Sequence, residues 1–379
     1  MNGLRATSQR GKTRGVLAMN RIENMLNFAV GPVMSPQSIL DISAESSPYF
    51  RTVEFSQMML ESERLVLDLL NAPEGSRCVF LTASGTGAME AAVADVLRPD
   101  ERVAVINGGS FGERFAQLSR LHKHDTVEIA VEFGRQVDPH QLDSIPRDCS
   151  ALLVNMHETS SGVLYNMPLI GEFCSKRGML LIVDAISSFI ADDLDMAFLH
   201  ADVVLTGSQK ALACHPGVSI VAMSPRAVDR VISNQITCMY LSLQEALVNA
   251  ERGQTPWTPA VTTMIELHSR LESISASGIS SERSLVASRA YELREALAST
   301  RLMLVAECPS NAVSAFWCPE HNAHEVVEVA LSEYGIWLCP NGGKYADDVF
   351  RVGHIGAIRP DDADVLLESL RRMHRKGLF

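Results

Sequence analysis

The feature that most constrains this chain is a series of short apolar runs that do not alternate with polar residues. Residues 77–82, 102–107, 151–155, 179–184 and 201–206 are each nearly continuous in aliphatic side chains, and amphipathic stretches separate them. A strand with one wet face alternates; a continuous apolar strand must be covered on both faces. Such strands interleaved with helices predict an α/β fold, a largely parallel, doubly wound sheet flanked by helices. Residues 88–97, rich in Ala, Met and Val, supply one covering helix directly after the first strand.

The texture changes after about residue 265. Residues 281–297 and 361–373 read as charged amphipathic helices, and 312–317 alternates like a half-exposed strand. A smaller α+β domain with an open antiparallel sheet is therefore expected at the C-terminal end. The boundary falls somewhere in 260–285 and is taken at 270/271, which gives a large domain at 23–270 and a small one at 271–379. Residues 1–22 carry Arg5, Arg10, Lys12, Arg14 and Arg21 with no acid. They read as a flexible tail, the alternatives being a targeting segment or a start codon placed upstream of Met19.

Composition narrows the function. The 379 residues are 46% hydrophobic and 21% charged, which excludes disordered, collagen-like and low-complexity chains. A net charge of −12 offers no field for wrapping phosphate backbones, so a nucleic-acid partner is not expected. The eight cysteines include no Cys-x-x-Cys pair and no zinc-ligand rhythm. They are read as reduced thiols of a cytoplasmic protein without a metal site. No apolar run approaches the roughly 20 residues that span a bilayer, so no membrane partner is expected.

In an open parallel sheet, ligands bind at the carboxyl ends of the strands, and four segments place reactive groups there. Thr82-Ala-Ser-Gly-Thr-Gly87 joins a strand to a helix; small residues, exposed N–H groups and the Ser84 and Thr86 hydroxyls suit an anion, although a plain turn has the same composition. Asp184 ends a buried apolar run and needs a cationic or hydrogen-bonding partner; it either caps a helix starting at Ser187 or holds a protonated ring nitrogen. Lys210 follows the 201–206 strand in a small, partly apolar neighbourhood, where desolvation depresses the pKa of an amine. Arg351, in Phe350-Arg-Val-Gly353, presents a fork suited to a carboxylate, unless it pairs with Asp347 or Asp348. A phosphate cradle, a buried acid, a nucleophilic lysine and a late arginine together are what a pyridoxal phosphate enzyme requires.

Those motifs carry a resemblance. Over roughly residues 27–372 the chain resembles the class V aminotransferases of fold type I, nearest the alanine–glyoxylate, serine–pyruvate and 2-aminoethylphosphonate–pyruvate branch. The segments that carry the likeness are Ser84-Gly-Thr-Gly-Ala-Met-Glu-Ala-Ala92, Val183-Asp-Ala-Ile-Ser-Ser188, Gly207-Ser-Gln-Lys210 and Phe350-Arg-Val-Gly353. The resemblance implies a mostly parallel seven-stranded sheet, pyridoxal 5'-phosphate as cofactor, and a homodimer with shared active sites. It makes Lys210 the Schiff-base lysine and proton shuttle, and Asp184 the partner of the pyridine nitrogen. Phe111 matches the ring that stacks on the cofactor. Ser84, Gly85, Thr86 and Gln209 match phosphate-binding positions, and Thr159 and Ser160 match hydroxyls near the phenolic oxygen. Thr255 and Thr258 resemble residues that reach the neighbouring subunit's phosphate. Arg351 matches the substrate carboxylate clamp, with Gly31 in the same pocket. Arg51 stands in Phe50-Arg51, where relatives often have His-Arg, so the outer pocket wall is expected to differ.

The implied reaction moves an amino group from a small amino acid, or an aminophosphonate-like amine, to a 2-oxo acid such as pyruvate or glyoxylate. The alternative is a lyase of the cysteine desulfurase type, whose members usually carry His before the lysine and His over the ring. Here those residues are Gln209 and Phe111, and Cys318 and Cys339 read as packed. A non-catalytic cofactor-binding protein would have lost the lysine or the clamp, and a nicotinamide dehydrogenase needs a third glycine that is missing after Gly87. His122 and His124 read as a solvated helix end, and His215, His321 and His324 as surface or loop residues. Met58 and Met59 read as core filling.

Overall fold

The computed structural model describes residues 25–379; the expected tail at 1–22 lies outside the described residues. Seven strands form the central sheet: β1 (Arg77–Leu81), β2 (Arg102–Asn107), β3 (Asp125–Ala130), β4 (Cys149–Asn155), β5 (Leu180–Asp184), β6 (Val203–Gly207) and β7 (Ser219–Met223). Their order is β1-β7-β6-β5-β4-β2-β3. β7 runs antiparallel to both neighbours, and the other pairings are parallel.

The continuous apolarity of these strands has a direct cause. Val103, Val105, Leu153, Ile182 and Leu205 face one core, with the helices Gly85–Val96, Ser110–Leu121, Pro225–Ser233 and Leu243–Ala250. Their neighbours Ala104, Ile106, Leu152, Leu181 and Val204 face the other, with Val53–Leu69, Met167–Arg177 and Val261–Ser277. Both faces are dry, so every position is apolar. Ala88, Ala91 and Ala92 of the first covering helix are fully buried, and their small side chains let that helix lie close on the sheet. Met59 belongs to the core and Met58 packs against it, as expected of core-filling methionines.

A second sheet lies toward the C-terminus, with Met303–Leu304, Val313–Trp317, Val349–Gly353 and Cys339–Pro340 in antiparallel order. Its core is shared with the helices Ile279–Leu297, Ala323–Tyr334 and Pro360–Arg375. The expected boundary at 270/271 falls inside the helix Val261–Ser277, whose Leu271 and Ile274 belong to the main core; that helix ends at Gly278, at φ +83°. The described N-terminal residues also depart from a simple division. Leu26–Asn27 pairs with Ile336–Trp337, and Phe28 is buried in the C-terminal core. The Gly353 N–H donates to the Phe28 carbonyl at 2.7 Å, so residues 28–31 pass across the end of the strand that carries Arg351.

The sheet has one topological switch. From β2 the chain steps outward to β3, then returns to β4 on the other side and proceeds through β5 to β6. The crevice between β2 and β4 is where an open α/β sheet offers its ligand site.

Candidate active site

Four strand ends converge on that crevice, and each contributes one polar group. β6 ends at Gly207, and the turn after it is fastened by Ser208, whose hydroxyl donates to the His215 carbonyl at 2.7 Å and whose N–H donates to Val218 O at 3.0 Å. This turn presents Lys210, whose Nζ donates to the Val30 carbonyl at 2.6 Å. Burial lowers the lysine pKa to about 8, and Asp184 opposes that shift. Gly31 is a glycine for a spatial reason: a Cβ there would lie 2.4 Å from Lys210 Cδ and 2.8 Å from Nζ.

Asp184 closes β5. One carboxylate oxygen accepts the Ile186 N–H at 2.8 Å; among the described residues nothing donates to the other. Burial raises its pKa to about 6, Glu158 adds to that, and Lys210 and Arg114 work against it. No helix begins at Ser187: residues 186–190 form a turn, so Asp184 caps nothing. Ile186 packs where a side chain on Gly85 would go (2.2 Å), which ties the anion cradle to the strand carrying Asp184. The helix after that cradle begins at Gly85, and the hydroxyl of its N-cap Ser84 makes no capping hydrogen bond. Thr86 Oγ1 accepts from Arg114 at 3.1 Å, and the Arg114 guanidinium stands 4.9 Å from the Phe111 ring centroid.

The turn after β4 holds groups that sequence reasoning did not single out. Glu158 is fully buried and accepts from the backbone of Phe111 (3.2 Å), Gly112 (3.1 Å) and Ser160 (3.2 Å), from the Ser160 hydroxyl, and from Asn155 Nδ2 (2.9 Å). One carboxylate thereby joins the start of the helix Ser110–Leu121 to the hydroxyl turn. Ser187 Oγ bridges Thr159 Oγ1 and His157 Nδ1, at 2.9 Å each. Burial, then Lys210, Arg294 and Arg351, push the His157 pKa down to about 3, so its ring is neutral. The available signal was chemical: an acid in the turn His157-Glu-Thr-Ser-Ser-Gly162, with no cation beside it, at a buried strand end.

Arg351 reaches the crevice from the second sheet. Its guanidinium donates to Thr159 O (3.2 Å) and Pro340 O (2.7 Å), and its buried Nε has no partner among the described residues. Asp347 pairs instead with His324 at 3.2 Å. Phe111, Ser160, Arg351, Phe133, Asn341 and Lys344 line a cavity of about 450 Å³, a size suited to a small-molecule site.

Comparison with known proteins decides the family. The profile described as Aminotransferase class-V matches residues 41–350, most of the chain. The chain belongs to the class-V aminotransferase family. It is similar to the soluble hydrogenase 42 kDa subunit of Anabaena cylindrica, 31% identical over 353 residues and 91% of each chain. It is also similar to the L-aspartate–glyoxylate aminotransferase of Paracoccus denitrificans, 28% identical over 346 residues, 87% of this chain and 86% of that one. Among solved structures, the subgroup IV aspartate aminotransferase of Thermus thermophilus superposes with a TM-score of 0.87 at 26% identity, covering 92% of this chain and 99% of that chain.

This class-V aminotransferase is a pyridoxal 5'-phosphate enzyme, and its residues fit that group. The desolvated Lys210 amine feels the charges of Asp184, Arg351 and Arg114, Asp184 has one oxygen to spare, and the cradle hydroxyl of Ser84 is uncapped. Other expected positions lie elsewhere in the chain. Thr255 and Thr258 line a hollow with Thr82 and Tyr240, and the Thr255 hydroxyl donates to Trp257 O at 2.7 Å. Arg51 is exposed, with its guanidinium 4.8 Å from the Phe50 ring. Gln209 is half-buried, its carbonyl accepting the Val33 N–H at 3.3 Å.

The desulfurase alternative is less well supported. Cys318 is buried with its thiol pushed up to about 11, and Cys339 is half-buried with its thiol turned to Pro340 O at 3.6 Å, whereas sulfur transfer needs an accessible thiolate. One histidine differs from its expected setting: His124 is buried, with its pKa lowered by desolvation. His215 lies half-buried in a loop, as expected, and pairs with Glu266 at 3.0 Å. The side chain of His321 lies outside the described residues. Among the described residues no helix is long and apolar enough to cross a membrane.

Proposed function

We propose that this aminotransferase moves the amino group of a small amino acid to a short 2-oxo acid, with glyoxylate and pyruvate as the first acceptors to test. The observation that carries this reading is the pairing of a desolvated Lys210 with a buried Asp184 in one crevice, with Arg351 entering from the second sheet. The glyoxylate acceptor is supported by the name of the Paracoccus denitrificans relative.

Bound pyridoxal phosphate supplies an aldehyde for the donor amine and a ring that withdraws electrons from the α-carbon. The protein's part is proton handling and orientation. An amine with a pKa near 8 is partly neutral at physiological pH, so Lys210 would take the proton from the donor's α-carbon and hand it to the cofactor's former aldehyde carbon, the two transfers running in reverse for the acceptor. Asp184 would keep the ring nitrogen protonated. Ser84, Gly85, Thr86 and Gln209 serve the phosphate, and Thr159 and Ser160 the phenolic oxygen. Phe111 covers the ring, its backbone held by Glu158. Arg351 takes the α-carboxylate beside Gly31.

We further assign a cytoplasmic homodimer in which Thr255 and Thr258 serve the neighbouring subunit's phosphate and Arg51 its outer pocket wall. The test is a scan of amino donors against glyoxylate, pyruvate and 2-oxoglutarate with purified, cofactor-loaded protein. Product formation that disappears in Lys210→Ala, together with borohydride-trapped cofactor on a peptide containing Lys210, is expected. Turnover retained in Lys210→Ala would remove the central assignment.

A further inference from the structure

The walls of the 450 Å³ cavity carry two cations, Arg351 and Lys344, and no acidic side chain. Arg351 is turned toward Thr159, at the cofactor end. Lys344 stands on the segment Asn341-Gly-Gly-Lys-Tyr345, and two anchors hold that segment over the cavity. At one end, Asn341 Nδ2 donates to Ser160 O at 3.1 Å and the Asn341 N–H donates to Val349 O at 3.2 Å. At the other, the Tyr345 ring stacks on Phe133 with centroids 4.0 Å apart and meets Trp317 edge-on at 5.4 Å. The Lys344 ammonium lies 4.6 Å from the Tyr345 ring centroid.

Lys344 is exposed, but it lines the same cavity as Arg351. Among the described residues no carboxylate pairs with Lys344, although the neighbouring Asp347 is occupied by His324. The Tyr345 ring, itself stacked on Phe133, flanks the Lys344 ammonium. An ammonium beside an aromatic ring, in a cavity whose other cation already has a carboxylate to bind, is matched by a ligand with a second negative charge.

We propose that Lys344 selects an amino donor whose side chain ends in a carboxylate, so that the preferred donor is a short dicarboxylic amino acid. The inference rests on the aminotransferase reading above and adds the donor class to it. A two-carbon acceptor such as glyoxylate has a single carboxylate and engages Arg351 alone, so donor and acceptor share the inner cation and differ at the outer one.

The experiment compares cofactor-loaded wild type with Lys344→Ala, Lys344→Gln and Lys344→Glu. L-Aspartate, L-glutamate, L-alanine and L-serine are the donors, with glyoxylate as acceptor. The quantity read is the ratio of kcat/KM for a dicarboxylic donor to that for alanine. Wild type is expected to favour aspartate or glutamate, and Lys344→Ala and Lys344→Gln to lower that ratio by up to about fivefold, the size of one exposed charge contact. Lys344→Glu should lower it further. Calorimetry gives a second readout independent of turnover: succinate should bind wild type more tightly than propionate, and Lys344→Ala should erase that difference. An unchanged donor ratio in the variants, or equal binding of succinate and propionate to wild type, overturns the role of Lys344. Failure of every donor in wild type, with the succinate preference intact, would strike the transaminase reading and leave the second-anion site standing.

Discussion

The cofactor-free enzyme should become more stable when its lysine is removed. Lys210 loses hydration in the folded state, which lowers its pKa from 10.5 to about 8. Each factor of ten in proton affinity is worth about 1.4 kcal/mol, so an ammonium at that position costs the apoenzyme about 3 kcal/mol at neutral pH. The sign follows from proton counting. Between pH 8 and 10.5 the unfolded chain binds this proton and the folded one does not, so stability rises with pH across that window. Lys210→Met keeps the shape and removes the charge. The gain is partly offset because Asp184, already raised to about 6 by burial, loses the cation that opposes the shift. A net gain of about 2 kcal/mol is therefore expected at pH 7. Guanidinium unfolding of the two apoproteins at pH 7 and at pH 9.5 checks this: the variant should lead at pH 7, with the gap narrowing at pH 9.5. A variant less stable than wild type at pH 7, or a gap independent of pH, refutes the claim that Lys210 is held in a desolvated site.

Three further outcomes follow from the same geometry. Gly31→Ala places a methyl group against Lys210 at φ +119°, a backbone region where L side chains cost about 1–3 kcal/mol. Since the lysine stem can swing aside, most of the damage should fall on function, with kcat down about a hundredfold in steady-state assays and a melting temperature only a few degrees lower. Glu158→Ala leaves three backbone donors and a hydroxyl without their acceptor, and should destabilise by about 3 kcal/mol or more in denaturant titrations, with Glu158→Gln recovering part of the loss. Arg351→Lys loses the fork while keeping the charge, so KM should rise about tenfold for amino donors and 2-oxo acids alike; a rise confined to one partner would argue against a shared carboxylate clamp.

The parts of the fold that show in the sequence are those where burial is symmetric. β4, β5 and β6 are dry on both faces, and their residues leave no other assignment. β3 is an edge strand in which Ile129 alone is fully buried, so Asp125-Thr-Val-Glu-Ile-Ala130 gives neither a continuous run nor a clean alternation. β7 is as long and as buried as β5 and β6, but no helix separates it from β6, so the alternation of strand and helix that marks the others does not announce it. In the crevice, the burial of Lys210 and Asp184 is legible because each follows a continuous apolar run, where a charge is costly without a partner. Glu158 is not, because an acid among hydroxyl residues reads as a solvated turn until the fold brings the Phe111 and Gly112 N–H groups to it. Lys344 is hidden for the same reason: only the fold places it in one cavity with Phe111, Ser160 and Arg351.

The distance between Lys210 and the two cations of the cavity depends on two different parts of the fold. Lys210 and Asp184 belong to the seven-stranded sheet, while Arg351 and Lys344 belong to the second sheet and its loop. A buried polar seam joins the two. Asp192 accepts from the Ser310 hydroxyl and the Asn311 N–H, and the Ser310 N–H donates to Gly162 O at 2.9 Å. Arg294 donates to Ser310 O and, at 2.8 Å, to Ser314 Oγ, which bonds His354 Nε2 at 2.9 Å. Burial lowers the Arg294 pKa to about 10 while raising that of Asp192 to about 6, so both groups bear a desolvation cost that an apolar seam would not. What the polar seam adds is direction. Apolar surfaces tolerate sliding, whereas these bonds are satisfied in one register only, and that register sets where Arg351 stands relative to Thr159. The proposed division of proton transfer and substrate anchoring between two sheets would require such a fastening, because a displacement of about 1 Å between them would cost far more in rate than the seam costs in stability.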